Sequence, residues 1–304
     1  MQEEARGLIF NIVHGSFVDG YGVRTTIFLK GCPLRCLWCC NPEGQSFKPE
    51  LKVSRDKCNG SGRCIPVCKE GALSLDKEEK IVVDRSKCKQ CFECIGVCYT
   101  DALDRWGTLY TVDEMFEIVQ RDSNYFSASG GGLTIGGGEA TWQADFVLGL
   151  IKKCHEYQIH VNIDTCGHVS DPKGIECLKE ADMLLFDIKG IDPVDHERNT
   201  GVKNDVILSN LKMLSDIRKP MIIRLPLIPG YNDSEENLKA TAELLSSLKS
   251  VERVDIIPLH QFGKVKYDGI GMEYRLESED IDDERQEELR SFFESYGLKT
   301  QIGG

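Results

Sequence analysis

Cysteine is concentrated in one part of this chain. Eleven of the fourteen cysteines lie between residues 32 and 98 of the 304-residue sequence. In a reducing compartment, cysteines grouped in this way more often ligate metals than form disulfides. The chain must therefore fold so as to build metal centres in this region. The other three, Cys154, Cys166 and Cys177, are scattered, and we predict that they are small, buried packing residues.

The composition limits where the chain can work and what it can bind. The formal net charge is −12 and 41% of the residues are hydrophobic, so a large core is expected and duplex nucleic acid is not an expected partner. No apolar run approaches the roughly 18 residues that cross a membrane. The opening residues, MQEEARGLIF, lack the features of a signal peptide. We therefore predict a cytoplasmic protein that binds neither nucleic acid nor a membrane.

Outside the cysteine-rich region, the chain alternates strands with helices. The sequence predicts strands at 22–30, 132–137, 159–164, 183–189, 221–227 and 253–259. It predicts helices at 111–122, 142–156, 172–180, 204–217, 234–248 and 283–296, the first with a capping box formed by Thr111 and Glu114. This alternation indicates a parallel α/β sheet, either open or a partial barrel, with its site at the carboxyl ends of the strands.

The polar motifs of the chain fall at those strand ends. The cysteine run follows the first strand, and GGGE, DTCG and DIKG end the second, third and fourth. Arg224 lies in the fifth strand, and His260 follows the sixth. Because the carboxyl ends of parallel strands meet at one edge of a sheet, we expect these segments to form a single site.

The segment CPLRCLWCC (32–40) indicates which metal centre that site holds. Cys32, Cys36 and Cys39 have the spacing C-x3-C-x2-C, which differs from the usual spacing of zinc knuckles and from the ferredoxin run. Three thiolates on a short loop can hold three irons of a [4Fe–4S] cluster and leave the fourth open to a chelating ligand. A structural zinc site is the alternative interpretation. In the cluster interpretation Cys40 is the spare cysteine and not a ligand.

With Trp38 before its last cysteine, this motif resembles that of the radical S-adenosylmethionine enzymes. The resemblance implies a partial (β/α)6 TIM-like barrel in which Cys32, Cys36 and Cys39 are the catalytic cluster ligands. It also implies that the amino and carboxylate groups of S-adenosylmethionine bind the open iron. An electron from the cluster then cleaves this cofactor to a 5′-deoxyadenosyl radical.

Other strand-end residues resemble the cofactor site of the same family. GGGEA (136–140) is similar to its GGE motif, in which glycines allow close approach and a carboxylate accepts from the ammonium group. In DIK, the resemblance implies that Lys189 contacts the cofactor carboxylate. The residues expected to bind S-adenosylmethionine are Trp38, Cys39, Cys40, Gly137, Gly138, Glu139, Asp187, Ile188, Lys189, Arg224 and His260. Asp164, Thr165 and Asp187 are expected to frame a monovalent cation, Na⁺ or K⁺, with an ordinary surface salt bridge as the alternative.

The residues before the cysteines resemble one branch of that superfamily, the activating enzymes of glycyl radical enzymes. Their motif S-x-x-D-G-P-G-[IV]-R is matched here except that Tyr21 replaces the proline; the matching residues are Ser16, Asp19, Gly20, Gly22 and Arg24. The resemblance implies that Asp19 helps to dock the glycine loop of the partner enzyme. An Asx turn in DGYG is the alternative role for Asp19.

Residues 50–105 interrupt this pattern and contain two copies of a ferredoxin run. CKQCFECIGVC is complete, whereas in CNGSGRCIPVC Ser61 stands where the second cysteine belongs. In two-cluster ferredoxins the fourth cysteine of each run serves the other cluster. The first predicted site therefore contains Cys68, Cys88, Cys91 and Cys94 and holds a [4Fe–4S] cluster. The second contains Cys58, Cys64, Cys98 and Ser61, and it holds a [3Fe–4S] cluster, a serine- or water-ligated cluster, or one lost in preparation.

The predicted organisation is thus a barrel formed by residues 1–49 and 106–304, with a small ferredoxin-like two-cluster domain inserted at 50–105. The resemblance implies an oxidoreductase that takes a hydrogen atom from a glycine Cα of a partner glycyl radical enzyme. The insert favours partners of the choline trimethylamine-lyase, glycerol or diol dehydratase, or 4-hydroxyphenylacetate decarboxylase type. A flavodoxin or ferredoxin is the expected electron donor, and the protein is expected to be a monomer. The alternatives are a radical S-adenosylmethionine enzyme acting on a small molecule and a ferredoxin-like electron carrier.

Overall fold

A computed structural model describes residues 4–303 of the chain, apart from the side chain of Phe262. The strands of this part are β1 (Arg6–Ser16), β2 (Arg24–Leu29), β3 (Glu50–Val53), β4 (Leu73–Leu75), β5 (Ile81–Val83), β6 (Leu103–Trp106), β7 (Thr108–Thr111), β8 (Gly132–Gly137), β9 (His160–Thr165), β10 (Met183–Asp187), β11 (Met221–Leu227), β12 (Val251–Pro258) and β13 (Thr300–Ile302). The α-helices are α1 (Val112–Val119), α2 (Ser123–Ser129), α3 (Ala144–Glu156), α4 (Pro172–Glu180), α5 (Pro193–Thr200), α6 (Asp205–Asp216), α7 (Glu235–Ser246), α8 (Lys264–Ile270) and α9 (Asp283–Ser295).

Nine of the described strands form one sheet, in the order β13-β12-β11-β10-β9-β8-β2-β1-β7. From β2 to β13 every neighbouring pair is parallel, while β1 pairs antiparallel with both β2 and β7. The parallel strands bring their carboxyl ends to one edge, where a site is expected. The predicted partial barrel of strands and helices is confirmed.

The core lies between the sheet and the helices that follow its strands. Leu133, Ile135, Val161 and Ile163 are fully buried on β8 and β9. They belong to one large cluster that includes apolar side chains of the helices. Helix α1 begins with the predicted capping box, in which the Thr111 side chain accepts from the backbone of Glu114 and the Glu114 side chain accepts from the backbone of Thr111. Amphipathic helices of this kind cover a sheet whose strands are apolar throughout.

Residues 50–106 form two small antiparallel sheets beside the barrel, β3 with β6 and β4 with β5. Their core contains Leu51, Leu73, Ile81 and Leu103 together with six of the predicted cluster cysteines. Buried Lys30 ties this region to the barrel through Glu50, at 2.8 Å. In the same way, Nη2 of Arg85 donates to the backbone oxygen of Gly269, after β12, at 2.9 Å. The insert is therefore held against the barrel by polar contacts at two places.

In the part of the chain that the structure describes, no helix combines the length and the apolar character needed to cross a membrane.

Candidate active site

The cysteine loop that follows β2 is held by backbone contacts from two sides. The N–H groups of Arg35 and Leu37 donate to the backbone oxygens of Thr200 (2.7 Å) and Asn199 (3.0 Å) at the end of α5. On the other side, the Tyr267 hydroxyl of α8 donates to the backbone oxygen of Cys39 at 3.0 Å. The positions of the thiols are therefore set by two helices that the sequence did not predict.

The loop and the strand ends enclose a cavity of about 830 Å³. Its lining contains residues of the cysteine loop and residues from the ends of β8, β9, β10 and β11. Those from the loop are Cys32, Cys36, Trp38, Cys39 and Cys40, and those from the strand ends are Gly137, Gly138, Asp164, Thr165, Cys166, Asp187, Lys189 and Arg224. The structure thus brings together most of the residues that the sequence singled out.

Three of the expected cofactor residues do not line this cavity. His260 lies next to it, with Nε2 3.8 Å from Sγ of Cys40. Ile188 is 3% exposed, and its backbone N–H donates to the backbone oxygen of Arg224 at 2.9 Å, which joins the ends of β10 and β11. Glu139 is the third, and its side chain is buried inside the protein.

The glycines of GGGE allow the chain to pass close to the cysteine loop. Gly137 has a φ of +107°, a conformation that side-chain-bearing residues rarely adopt. A Cβ on Gly138 would lie 2.3 Å from the backbone oxygen of Gly31, just before Cys32. The N–H of Gly138 donates to the backbone oxygen of Leu29 at 2.7 Å. Any side chain at 138 would push the cysteine loop away from the sheet.

Glu139 is fully buried and hydrogen-bonded within the protein. Its carboxylate accepts from the hydroxyls of Thr141 (2.8 Å) and Thr165 (2.9 and 3.0 Å) and from the N–H of Cys166 (2.8 Å). This differs from the expectation that Glu139 accepts directly from a ligand ammonium group. The carboxylates that border the cavity are Asp164 and Asp187.

Cys166 is a site residue that sequence reasoning treated as packing. It is 7% exposed and lines the cavity, and its Sγ donates to Oε2 of Glu139 at 2.9 Å. The Cys166 thiol also lies near Cys32, and this neighbour lowers the pKa of the Cys32 thiol, an effect that burial opposes. Its position in DTCG, directly after a strand, is the sequence signal that could have identified it. Cys154 and Cys177 are fully buried in the main core, as predicted.

Four charged side chains border the cavity. Nζ of Lys189 lies 2.6 Å from Oδ2 of Asp187, and Nη1 of Arg224 lies 3.2 Å from Oδ2 of Asp164. Burial raises the pKa of Asp164 to about 7, although Arg224 opposes the shift. Burial opposes the charges of Lys189 and Arg224 as well, but the aspartates raise the pKa of both above the usual range. The positively charged side chains of Lys189 and Arg224 are therefore both held at the cavity.

The residues expected to frame a monovalent cation are partly engaged with one another. Asp164 pairs with Arg224, whose Nε lies 3.9 Å from Oδ1 of Asp187, and the Thr165 hydroxyl donates to Glu139. Among residues 4–303, no three His, Cys, Asp or Glu side chains are grouped closely enough to hold a single metal ion. The guanidinium of Arg224 thus occupies the position between the two aspartates.

Asp19 lies in the turn that joins β1 to β2. Its Oδ2 accepts from the hydroxyls of Ser16 (2.6 Å) and Thr26 (2.7 Å), so its side chain bridges β1 and β2. Its backbone oxygen accepts from Thr134 and Asn162. The adjacent residues Phe17, Val18 and Tyr21 are exposed by 74%, 57% and 39%. An anchored carboxylate therefore stands beside an exposed apolar turn.

The eight ligand positions of the insert fall into two groups. One cavity, of about 610 Å³, is bordered by Cys68, Cys88, Cys91 and Cys94. The other, of about 340 Å³, is bordered by Cys58, Ser61, Cys64 and Cys98. These are the two crossed sets expected from the sequence. Each last cysteine also accepts a backbone N–H at 3.3 Å, Cys68 from Ala72 and Cys98 from Leu103.

The chemistry of these donors fits iron–sulfur clusters. Burial raises the pKa of the Cys36 thiol to about 12 and that of Cys39 to about 11, so these groups do not ionise readily without a bound cation. Thiolates that accept backbone N–H groups and lie among aliphatic side chains are typical of cluster sites. Nε of Arg224 is buried without a hydrogen-bond partner, so the active-site cavity also offers an unused donor to a ligand.

Three parts of the sequence match known protein families. Residues 87–244 match the Radical SAM superfamily, residues 57–102 a 4Fe-4S dicluster domain and residues 18–65 a 4Fe-4S single cluster domain. The first match covers more than half of the chain. The other two cover the insert and the active-site cysteine loop.

Several curated proteins resemble nearly the whole chain. The 4-hydroxyphenylacetate decarboxylase activating enzyme of Clostridioides difficile (strain CD196) is 39% identical over 99% of this chain and 98% of its own. The trans-4-hydroxy-L-proline dehydratase activating enzyme of Clostridioides difficile is 41% identical over 98% and 99%. The choline trimethylamine-lyase activating enzyme of Oleidesulfovibrio alaskensis is 38% identical over 90% of each chain.

A solved structure shares the fold. The structure of SuiB from Streptococcus suis bound to precursor peptide SuiA has a TM-score of 0.51 and 15% identity, over 65% of this chain and 43% of that one. At this identity the likeness concerns the fold alone.

Proposed function

Because the chain belongs to the radical S-adenosylmethionine superfamily and is one of its activating enzymes for glycyl radical enzymes, we propose that its cavity at the strand ends is the site where S-adenosylmethionine is cleaved. The observation that carries the proposal is the convergence of three cysteines, two aspartates, Lys189 and Arg224 on one cavity. A [4Fe–4S] cluster with an open iron supplies, when bound and reduced, the electron that converts this cofactor to a 5′-deoxyadenosyl radical.

The residues of the chain hold and orient the cofactor. Cys32, Cys36 and Cys39 ligate the cluster, and Cys40 borders the cofactor without ligating iron. Lys189 binds the carboxylate of the methionine part, because its ammonium group lies at the cavity and is kept charged by Asp187. Asp164 and Asp187 accept from the amino group, in the role that the sequence gave to Glu139. Glu139 instead positions Thr165 and Cys166.

The remaining cofactor residues define the edges of the site. Trp38 is 6% exposed and packs against Leu259, so it forms an apolar wall that excludes water. Gly137 and Gly138 bring backbone groups to the cavity, and Ile188 fixes the spacing of β10 and β11. His260 contacts the adenosine part beyond Cys40. A Na⁺ or K⁺ bound by Asp164, Thr165 and Asp187 would require Arg224 to move aside when the cofactor binds.

The reaction that we propose removes one hydrogen atom from a glycine Cα of the partner enzyme. Glycine suits this step because its Cα carries no side chain that would block approach. Asp19, fixed by Ser16 and Thr26 in the turn between β1 and β2, binds the backbone of the glycine loop. The exposed side chains of Phe17, Val18 and Tyr21 contact the partner around it. Water is excluded from the cavity once this surface is covered.

The insert at 50–105 is the place where we propose that electrons enter. Its two cavities are suited to auxiliary iron–sulfur clusters, and Cys91 of the complete site is exposed to a donor such as flavodoxin or ferredoxin. A structural or docking role of the insert is the alternative. We expect the activating enzyme to act as a monomer in the reducing cytoplasm, where cluster thiolates persist.

Sequence similarity does not identify the partner enzyme, because relatives named for different partners are all 38% to 41% identical to this chain. The test is anaerobic incubation of the reduced, iron-reconstituted protein with S-adenosylmethionine and a panel of candidate partners. The panel contains 4-hydroxyphenylacetate decarboxylase, trans-4-hydroxy-L-proline dehydratase and choline trimethylamine-lyase. We expect 5′-deoxyadenosine in every reaction and a glycyl radical EPR doublet with one partner.

Two results would contradict the proposal. The absence of 5′-deoxyadenosine would favour an electron carrier. Formation of 5′-deoxyadenosine without a glycyl radical on any partner, including one encoded beside this gene, would favour a small-molecule substrate.

A further inference from the structure

Ser61 occupies the position at which the incomplete ferredoxin run lacks a cysteine, and the structure places it with Cys58, Cys64 and Cys98 around the smaller cavity of the insert. The sequence left three states open for this site: a [3Fe–4S] cluster, a serine- or water-ligated cluster, or no stable cluster. The surroundings of Ser61 distinguish between them.

Ser61 is part of a small polar network. The Asn59 side-chain amide donates to the phenol oxygen of Tyr99 at 2.6 Å, and Ser61 lines the same cavity as both residues. The Ser61 N–H donates to Oδ1 of Asn59 at 3.3 Å, which ties the backbone of Ser61 to the same group of side chains. The guanidinium of Arg63 lies 5.0 Å from the centroid of the Tyr99 ring. The cavity beside Ser61 is thus bordered by a tyrosine hydroxyl that Asn59 holds in place, and a positive charge lies near the ring of that tyrosine.

The complete site provides an internal comparison. Aligning the two runs places Lys69 at the position of Tyr99 and Glu93 at the position of Arg63. At that site these two residues form a salt bridge with each other, at 3.2 Å. The hydroxyl-centred network therefore occurs at the site that lacks a cysteine. This is where an oxygen ligand to iron would need a hydrogen-bond donor.

We propose that Ser61 Oγ is the fourth ligand of the second auxiliary cluster, which is therefore a [4Fe–4S] cluster with one oxygen-ligated iron. On binding, the Ser61 hydroxyl loses its proton to solvent and forms an Fe–O bond. The Tyr99 hydroxyl then donates to the resulting alkoxide, and the Asn59 amide holds the Tyr99 oxygen. Tyr99 and Asn59 are positioning residues, in the manner of other groups that orient metal ligands through hydrogen bonds. This inference rests on the proposal above that the insert binds two clusters.

The experiment uses the full chain, reconstituted with ⁵⁷Fe, in a background that carries Cys32→Ala, Cys36→Ala and Cys39→Ala. That background removes the signals of the active-site cluster, and the four-cysteine cluster of the insert serves as an internal reference. Mössbauer spectra should contain an iron subsite with a larger isomer shift than the cysteine-ligated irons. Ser61→Cys should abolish this subsite while both clusters remain [4Fe–4S].

Ser61→Ala should convert the second cluster to about one [3Fe–4S] centre per chain, detected by EPR after mild oxidation. Tyr99→Phe should keep the cluster but make it lose its oxygen-ligated iron several-fold faster during oxidation. Tyr125→Phe, at an exposed tyrosine of α2, is the matched control and should leave that rate unchanged.

The outcomes separate the two proposals. If Ser61→Ala retains a [4Fe–4S] cluster, or if the Ser61 protein already contains the [3Fe–4S] centre, Ser61 is not a ligand and the inference is wrong. If neither the Ser61 protein nor Ser61→Cys binds a second cluster, the proposed two-cluster insert itself is wrong. Should Ser61→Ala fail to fold, the comparison between Ser61 and Ser61→Cys by Mössbauer spectroscopy still decides.

Discussion

Cys166 donates two hydrogen bonds to the same oxygen of Glu139, from its Sγ at 2.9 Å and from its backbone N–H at 2.8 Å. This pair joins the end of β8 to the end of β9 beneath the cavity. The glutamate of GGGE is therefore a buried acceptor for the strand ends, and the aspartates carry the charge that a ligand meets. Glu139, a motif residue, and Cys166, which the sequence assigned to packing, therefore connect the two strand ends together.

We expect Glu139→Gln to destabilise the protein. The amide group would place donor hydrogens against the donors of Thr141, Thr165 and Cys166, and an unsatisfied buried donor costs about 1–3 kcal/mol. The free energy of unfolding, measured by urea denaturation, should fall by about that amount. Glu156→Gln, at an exposed residue of α3, is the control and should change it by less than about 0.5 kcal/mol. An unchanged unfolding midpoint for Glu139→Gln would show that the hydrogen bonds to this carboxylate do not require its charge.

Cys39 and Cys40 are adjacent, and we predict opposite consequences of replacing them. Cys39→Ala should abolish the active-site cluster because it removes one of three ligands. Cys40→Ala should leave that cluster intact, since the Sγ of Cys40 is directed to His260, at 3.8 Å. Iron content and visible absorbance after anaerobic reconstitution measure the difference. The reverse pattern would mean that the loop presents C-x3-C-x3-C ligands.

Lys189→Met should weaken binding of S-adenosylmethionine. The ammonium group lies at the cavity, and a charge-assisted hydrogen bond contributes about 1.5–3 kcal/mol, which corresponds to a loss of roughly 10- to 100-fold in affinity. Equilibrium binding to the reconstituted protein provides the measurement. Lys173→Met removes an exposed lysine and should leave the affinity unchanged. Equal affinities of the Lys189→Met and original proteins would exclude the assigned contact.

Removal of iron should destabilise the insert more than it destabilises the barrel. The core of residues 50–105 combines a few aliphatic side chains with cluster cysteines, so metal binding contributes directly to its folding. Hydrogen–deuterium exchange of protein with and without iron should show faster exchange in β3–β6 after chelation. Exchange in α3 and β9, whose core is aliphatic, provides the reference within the same molecule. Unchanged exchange in the insert would mean that its fold does not depend on the clusters.

Much of the fold followed from periodicity. The six predicted strands correspond to β2, β8, β9, β10, β11 and β12, and the six predicted helices correspond to α1, α3, α4, α6, α7 and α9. Three helices were missed: α2 and α8 have only seven residues each, and α5, PVDHERNT, is mostly polar. Helices α5 and α8 hold the cysteine loop. They form because tertiary contacts and caps compensate for their weak amphipathicity.

The site was predictable to the extent that it lies at strand ends. Spacing identified the thiols, and the position of each motif after a strand identified Asp164, Asp187 and Lys189. Spacing could not reveal which way a side chain faces. Glu139 and Asp164 both end strands, yet one is fully buried and the other borders the cavity. That choice depends on the hydrogen bonds offered by Thr165 and Cys166, which become neighbours of Glu139 only after β8 and β9 pair.

Asp19→Asn should impair activation of the partner more than cleavage of S-adenosylmethionine. The side chain lies in the turn between β1 and β2, where Ser16 and Thr26 hold its Oδ2 and the exposed Phe17 adjoins it. Asparagine keeps the shape but lacks the charge that would bind backbone N–H groups of a glycine loop strongly. We expect the glycyl radical yield, measured by EPR at limiting partner concentration, to fall about tenfold, the effect of roughly 1.4 kcal/mol. Formation of 5′-deoxyadenosine without partner should fall far less. If the glycyl radical yield and the formation of 5′-deoxyadenosine fall equally, Asp19 acts on the cofactor site and not on the partner. The Asx-turn interpretation would then fail as well, because the side chain would support the barrel and not only its own turn.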